Sequence, residues 1–513
     1  MSQTILRRSF LTGGLAAAGA LAAPLRARAQ TTAAAPAWLA GLEAWIDARR
    51  VDWRVPGAAV AIVQGGQLVW SGGFGTTVTG SGGTPVTADT LFRCASSSKQ
   101  IAGATVAAVA STGAVDLDAP VSRYLPAFRT AQWDEYRSIS LKDMLSHRTG
   151  LPRHDLVWYG NSTLTMDELI GRMPHLAMTA PLRARYQYNN LMVALAGHAA
   201  ARAAGLANWD ALARQVLFAP LGMERTNTTI AAMQAAGNFC QGHSLSPTRT
   251  PIPVPLRHDS TLEAAGAVNS TVRDYANWAI MQLARGEFGG RRVMTAAAVD
   301  AQREPLITAG SASGEHIGRA FYGLGWRLDT YRGHERVHHA GDLNGFTSRV
   351  TLFPRLGLGI IAFVNMGGSP FPNNVVMDLS DRILGLSPLD WSGQAIARRN
   401  AGEQAAPAAP AAGIAGTQPS RPLTAFAGTY RDPGYGDLLV SEGEAGLAAR
   451  YGDMPARLAH WHYDVFETRD VRIENGDFGG LKLSFLPSED GSIGAVSVEM
   501  QENAPPVVFR RMT

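Results

Sequence analysis

The sequence predicts an α+β fold followed by a small all-β unit, and three observations carry that reading. Strand-like runs at 58–63 and 67–72 stand near the start of the folded chain, and further runs at 349–353 and 359–365 stand far downstream. Helical patterns dominate from about 97 to 330, so the order β, helices, β implies a sheet that joins both ends of one domain. Beyond an Ala/Pro/Gly/Gln-rich stretch at 391–422, short runs at 426–430, 437–440, 446–450, 464–467, 481–485 and 495–499 recur between turn residues, the signature of a small sandwich or barrel.

Each element follows from local chemistry. Residues 38–51 place apolar side chains at helical spacing and begin the domain with a helix. The first two strands are separated by Gln64-Gly65-Gly66, a hairpin turn, and a Gly/Thr/Ser-rich loop at 75–83 leads to Thr90-Leu91-Phe92-Arg93. Helices are expected at 101–111, 140–145, 191–203 and 274–285. Pro354-Arg355-Leu356-Gly357 joins the second hairpin, and 375–384 closes the domain as a helix. The composition of 391–422 cannot bury enough apolar surface to fold, so these residues read as a linker between a domain at 36–387 and a β unit at 423–513.

The 513 residues are 46% hydrophobic and 17% charged with mean hydropathy −0.04, a composition of globular units rather than of a disordered chain. The net charge of +4 would suit a nucleic-acid or acidic-membrane partner if it were spread over a surface. It is not. Residues 1–29 hold Arg7, Arg8, Arg26 and Arg28 and no acid, so the rest of the chain is neutral, and no nucleic-acid partner is expected. Arg7-Arg8-Ser9-Phe10-Leu11, an apolar run to Leu25 and Ala27-Arg28-Ala29 compose an export signal that resembles the twin-arginine type. Cleavage near Gln30, a periplasmic mature protein and no membrane span after cleavage are the expectations. Only Cys94 and Cys240 are present, which excludes a disulfide framework and favours two unpaired core cysteines.

The chain has three lysines, Lys99, Lys142 and Lys482, and leaves most basic work to arginine. A lysine can lose its proton when desolvated, whereas an arginine cannot. Lys99 lies three residues after Ser96 in Ser96-Ser97-Ser98-Lys99, ahead of the 101–111 helix. If Ser96 begins that helix, the spacing puts hydroxyl and amine on one face at a helix N-terminus, whose free N–H groups favour an oxyanion. Tyr188 and Asn190 share a turn before the 191–203 helix, and His339-Ala340-Gly341 precedes the second hairpin on an edge facing the same cleft. His334, His338 and His339 lack the carboxylate or cysteine that would complete a metal set, so no metal is expected. His147 reads as a loop hydrogen-bonder, and His460 and His462 share a strand face at the surface. No Gly-x-Ser-x-Gly elbow or phosphate-binding Gly loop is present.

The order Ser-x-x-Lys, Tyr-x-Asn, His-x-Gly resembles that of the penicillin-recognising serine hydrolases, a superfamily of class C β-lactamases, D-alanyl-D-alanine carboxypeptidases, D-aminopeptidases and esterases. Leu145-Ser146-His147-Arg148-Thr149-Gly150-Leu151-Pro152, Asp116-Leu117-Asp118-Ala119-Pro120-Val121 and Gly266-Ala267-Val268-Asn269-Ser270-Thr271 add to the resemblance. It implies a β-lactamase/transpeptidase-like domain, an antiparallel sheet with helices on both sides plus an all-helical region. It also implies Ser96 as nucleophile, Lys99 as its base, Tyr188 as phenolate or proton shuttle, and Asn190 bonded to Lys99 or to the substrate amide. The N–H groups of Ser96 and Asp342, one past Gly341, would form the oxyanion hole, and His339 would line the substrate-binding strand edge. His339 stands where a Lys is usual, which argues for peptidase, amidase or esterase activity on a small-molecule or peptide substrate over strong β-lactamase activity. A β-lactamase proper and a non-catalytic penicillin-binding sensor are the rival readings, and no cofactor is implied. Phe426-Ala427-Gly428-Thr429-Tyr430 and Pro433-Gly434-Tyr435-Gly436 resemble the lipocalin-like barrel of some peptidases in this superfamily, which implies homo-oligomer assembly or control of access to the cleft.

Overall fold

Eight strands form one antiparallel sheet: β1 (Gly57–Gln64), β2 (Gln67–Gly75), β3 (Ile307–Gly310), β4 (Ala320–Tyr322), β5 (Arg327–Tyr331), β6 (His334–Leu343), β7 (Phe346–Phe353) and β8 (Leu358–Val364). Their spatial order is β2-β1-β8-β7-β6-β5-β4-β3 in this computed structural model, which describes residues 36–257, 261–404 and 412–512. The export signal expected at 1–29 and its cleavage point lie outside the described residues. Ala58 faces Val364 and Ile62 faces Ile360 across the β1–β8 ladder, so both ends of the domain do meet in one sheet. The first hairpin closes through Gly65 and Gly66, both with positive φ (58° and 78°), the geometry a two-residue turn requires.

β1 and β8 are buried on both faces because helices cover both. The main helices are α1 (Leu42–Asp52), α2 (Ser98–Ser111), α3 (Asn190–Ala203), α4 (Val272–Leu283), α5 (Phe371–Ile383) and α6 (Trp391–Gln404). α4 packs on β1 and β8, where the Tyr275 ring meets Phe363 edge-on at 5.4 Å, and α5 packs on β7 and β8. Each fully buried side chain such as Ile361 or Phe363 contributes roughly 1.5–3 kcal/mol to this packing. α2 is buried almost all round, from Ser98 to Ala107, and packs on α3 in the helical region. Cys94 and Cys240 are buried and unpaired.

The linker reading of 391–422 is corrected at its start, because Trp391–Gln404 is the helix α6, packed on α5. Its ends hold it rather than an apolar stripe. Asp378 accepts from the N–H groups of Trp391 and Ser392 at 2.7 and 3.0 Å, and the Trp391 indole donates to Tyr331 Oη at 2.7 Å. At the other end Glu403 accepts two hydrogen bonds from Arg54, at 2.8 and 2.9 Å. Composition cannot register anchors of this kind.

The C-terminal unit is a closed antiparallel barrel of eight strands: β9 (Gly428–Asp432), β10 (Gly436–Gly443), β11 (Gly446–Tyr451), β12 (Met454–His462), β13 (Val465–Arg469), β14 (Lys482–Pro487), β15 (Ile493–Val498) and β16 (Val507–Arg511). The six expected runs correspond to six of these. β12 begins Met454-Pro455 and has no β-branched residue, so it lacks a strand's usual composition, whereas β16 carries Val507-Val508-Phe509 directly after Pro505-Pro506. Phe426, Phe466 and Phe485 fill the interior, with ring centroids 5.0–5.6 Å apart.

The barrel and the helices of the larger domain belong to one compact unit, residues 41–513. The barrel grips one segment of the larger domain. Gln501 Oε1 accepts from His154 N at 2.6 Å, Tyr435 Oη meets His154 Nδ1 at 2.6 Å, Tyr451 Oη donates to Leu156 O at 2.8 Å, and Asp453 N donates to Gly160 O at 2.7 Å. Tyr451→Phe leaves buried carbonyls short of a donor and should cost about 1–3 kcal/mol, read as a lower urea midpoint at unchanged slope. An unchanged midpoint would contradict this account of docking.

Candidate active site

Ser96 sits in a tight turn, Ala95–Ser97, immediately before α2, rather than on the helix itself. Ala95 has φ +47°, a left-handed conformation costly for a residue with a Cβ, and its neighbours hold it there. Ser98 Oγ donates to Ala95 O at 2.6 Å, Ser348 Oγ donates to Cys94 O at 2.7 Å, and Tyr275 Oη donates to Ser97 O at 2.7 Å. The result is selective exposure. From Thr90 to Ala107 every residue is buried except Ser96.

Lys99, fully buried one turn on, places Nζ 3.0 Å from Ser96 Oγ and 2.7 Å from both Asn190 Oδ1 and Ala265 O. Burial first, and the charge of Arg153 second, hold its pKa well below the usual lysine value, while Asp155 pulls the other way. Tyr188 Oη donates to Ser96 Oγ at 2.7 Å, and burial pushes its pKa up, which keeps the phenol protonated. The Tyr188 ring lies near both Lys99 Nζ, 4.8 Å from its centroid, and the Arg153 guanidinium, 5.0 Å from it.

Sequence reasoning missed the group that orients this set. Asp155 Oδ1 accepts from Asn190 Nδ2 at 2.9 Å and from the Trp158 indole at 3.0 Å, and Asp155 Oδ2 accepts from Arg153 Nε at 2.6 Å. Asn190 must therefore turn its carbonyl oxygen toward Lys99. The signal was present in Arg153-His154-Asp155 directly after the Leu145–Pro152 motif, but no spacing rule points from those residues to Lys99.

His339 is buried, and both ring nitrogens are engaged inside the protein. Asn189 N donates to His147 Nδ1 at 3.1 Å, so His147 carries its proton on Nε2 and donates it to Tyr322 Oη at 3.2 Å. Tyr322 Oη then donates to His339 Nε2 at 2.7 Å, leaving Nδ1–H of His339 for Ala340 O at 2.6 Å. Burial lowers both histidine pKa values, with the Lys99 charge next, so both rings stay neutral. His338 bonds Asp329 at 3.0 Å and shares no ligand direction with His339.

β6 is interior to the sheet, yet its β5 partner ends at the Arg327–His338 pair, which leaves the β5-facing edge of 339–343 open toward Ser96. Gly341 lets that strand approach the turn. A Cβ there would stand 2.2 Å from Cys94 O, 2.5 Å from Ser348 Oγ and 2.8 Å from Ser96 N. Asp342, next along, is exposed and accepts from Gly368 N at 3.0 Å.

An accessible serine hydroxyl held between a buried amine and a phenol defines a serine-hydrolase type of site. The chain belongs to the β-lactamase family, and is a serine hydrolase of that family: the family described as Beta-lactamase matches residues 42–377, and a domain of unknown function, DUF3471, matches 412–511. "Unguisins hydrolase ungD'" of Aspergillus campestris is 28% identical over 420 residues, 76% of this chain and 75% of that one. The octameric penicillin-binding protein homologue from Pyrococcus abyssi superposes with TM-score 0.62 at 18% identity, over 92% of this chain and 99% of that one. A class C β-lactamase superposes at 0.54 and 19%, over 68% and 96%.

Gly341→Ala should lower kcat/KM by roughly 10²-fold or more, because the strand must retreat from the backbone of Ser96. Steady-state kinetics on any turned-over ester, with the circular dichroism spectrum retained, checks it. Wild-type kinetics in that variant would separate β6 from the chemistry.

Proposed function

We propose that the protein hydrolyses amide or ester bonds through an acyl-enzyme on Ser96, with peptides and other amides favoured over β-lactams. The hydrogen bonding of Lys99 supports this most strongly. A neutral amine has two hydrogens and one lone pair; Asn190 Oδ1 and Ala265 O can only accept, so they take the hydrogens and leave the lone pair for Ser96. The lowered Lys99 pKa favours that neutral form.

In this scheme Ser96 Oγ attacks the substrate carbonyl carbon as its proton passes to Lys99. The carbonyl π electrons move to oxygen, where the N–H groups of Ser96 and Asp342 receive them. Collapse restores the carbonyl and breaks the bond to the leaving nitrogen or oxygen, which takes the proton from Lys99 by way of the Tyr188 hydroxyl. Water then attacks the acyl carbon and gives a proton to Lys99, Ser96 leaves with that proton, and the acid is released. Tyr188 acts as a protonated shuttle in this account, since burial works against its phenolate. Asn190, oriented by Asp155, directs the Lys99 lone pair, and His339 supports the strand edge beside the substrate.

We also propose that 1–29 directs export, with a mature periplasmic chain from about Gln30, on the strength of the Arg7-Arg8 signal pattern. A role for the barrel in homo-oligomer assembly draws support from the octameric relative.

A fluorophosphonate probe should label the wild type and not Ser96→Ala, whose ester turnover should fall by roughly 10³-fold or more; equal labelling refutes the assignment. kcat/KM should rise with pH as Lys99 loses its proton, with the acid limb well below the 10.5 of an ordinary lysine. Arg153 lowers the Lys99 pKa, and its removal also leaves the Asp155 charge unpaired, so Arg153→Gln should move that limb to higher pH. A limb that stays fixed or moves down would rule out Lys99 as the titrating base.

A further inference from the structure

The cleft has two lobes of opposite charge that meet at Ser96. One, of about 400 Å³, is lined by Asp155, Asp342 and Asp477 with Arg153 as the only cation among the described residues. The other, of about 560 Å³, is lined by Arg153, Arg327 and Arg349 with Asp342 as the only anion among the described residues. Ser96, Arg153 and Asp342 belong to both, so the unshared ionic groups are carboxylates on one side and guanidiniums on the other.

Arg349 shows that the basic lobe lacks something. It projects from β7 opposite Ala340 and is only 7% exposed, yet its one hydrogen bond runs from Nε to Thr351 Oγ1 at 3.3 Å, and no carboxylate lies within ion-pair distance among the described residues. Burial and the nearby Arg336 pull its pKa down to about 9 against the charge of Asp329, whose oxygens are bonded to Arg336 and His338. A buried guanidinium that lines a cleft with no ion-pair partner of its own offers a site for an anion from outside. Arg327, its neighbour in this lobe, likewise has no ion-pair partner among the described residues and stacks on the Tyr186 ring at 5.6 Å.

The acidic lobe is completed by the barrel. The turn Ile473–Phe478, between β13 and β14, brings Asp477 to the cleft, and Phe478 anchors the turn by stacking on Tyr451 at 5.9 Å. Asp477 has no hydrogen-bond or ion-pair partner among the described residues. Desolvation and then the Asp155 charge push its carboxyl pKa up while Arg153 pulls it down, and burial raises that of Asp342, with the Asp477 charge adding to it. Asp477 adds negative charge beside Asp342 that Arg153 offsets only in part, so a further cation in this lobe is favoured.

We propose that the cleft reads both ends of a short unblocked peptide, the free ammonium beside Asp477 and Asp342 and the free carboxylate on Arg349 and Arg327, with the scissile carbonyl over Ser96. This deepens the hydrolase reading above and rests on it. The amide C–N bond breaks, the water hydroxyl joins the acyl carbon, the remaining proton goes to the new amine, and two shorter zwitterions leave. Asp477 is then a specificity residue supplied by the second domain, and blocking either peptide end costs binding.

The test uses the full-length purified protein, alanyl di- and tripeptides of both stereochemistries in free, N-acetylated and C-amidated forms, and p-nitrophenyl acetate as a neutral report on Ser96. Each block should lower kcat/KM at least tenfold, chiefly through KM. Asp477→Asn should shrink the N-acetyl penalty and keep the amide penalty, and Arg349→Gln should do the reverse. Because Arg349 is buried, the exposed Asp477 variant carries the test if the arginine variant does not fold. Ester turnover with no cleavage of free peptides, or with blocked peptides cleaved as fast as free ones, overturns the proposal. A folded wild type that turns over neither ester nor peptide overturns instead the hydrolase reading beneath it.

Discussion

A lysine amine stripped of water is the constraint around which the site is arranged. An ammonium in that position would lose its hydration and gain no carboxylate in direct contact, so burial itself favours the base form. The amine still needs its hydrogens satisfied, and two elements remote in the chain do this. α3 contributes Asn190 from its first position, and the short helix Glu263–Gly266 contributes the carbonyl of Ala265. The packing of α2 on α3 is thus what fixes the direction of the Lys99 lone pair.

A second hydrogen-bond chain, from Asn189 through His147 and Tyr322 to His339, runs in one direction only. Each donor fixes the next acceptor, so neither imidazole can gain a proton without breaking a buried bond. A neutral His339 adds no positive charge beside Lys99, which would otherwise lower its basicity further. The cost is that this ring cannot serve as a fixed cation for a substrate anion, and the positive charges beside it are the guanidiniums of Arg153, Arg327 and Arg349.

What could be read in the sequence was what proximity along the chain or a run of motif residues encodes. The Ser96–Lys99 pair follows from helical spacing, Tyr188 and Asn190 from a shared turn, and the hairpins from their glycines and apolar alternation. Arg153 and Asp155 escaped because they are aimed by His154 in a left-handed conformation, with φ +46°, and nothing in the identity of a histidine announces that backbone state. Arg349 escaped because an arginine in a strand normally reads as a solvated side chain, and only the three-dimensional packing shows it buried. α6 escaped because side chains of Asp378, Tyr331 and Arg54 hold it, none of which lies within its own sequence window.

The barrel bears on catalysis through the same segment it grips. His154 is bonded on both its backbone and its ring to barrel residues, and its two neighbours are Arg153, which lies on the Tyr188 ring, and Asp155, which orients Asn190. Any tilt of the barrel must therefore be transmitted to the residues that set the Lys99 lone pair and its electrostatic surroundings. A left-handed residue has little freedom to absorb such a tilt locally, since its conformation is narrow and already strained. The same tilt would move Asp477 relative to Ser96. Docking of the barrel, the electrostatic surroundings of Lys99 and the shape of the acidic lobe thus share one segment, Arg153–Asp155, which links the second domain to the Ser96–Lys99–Tyr188 cluster by contact.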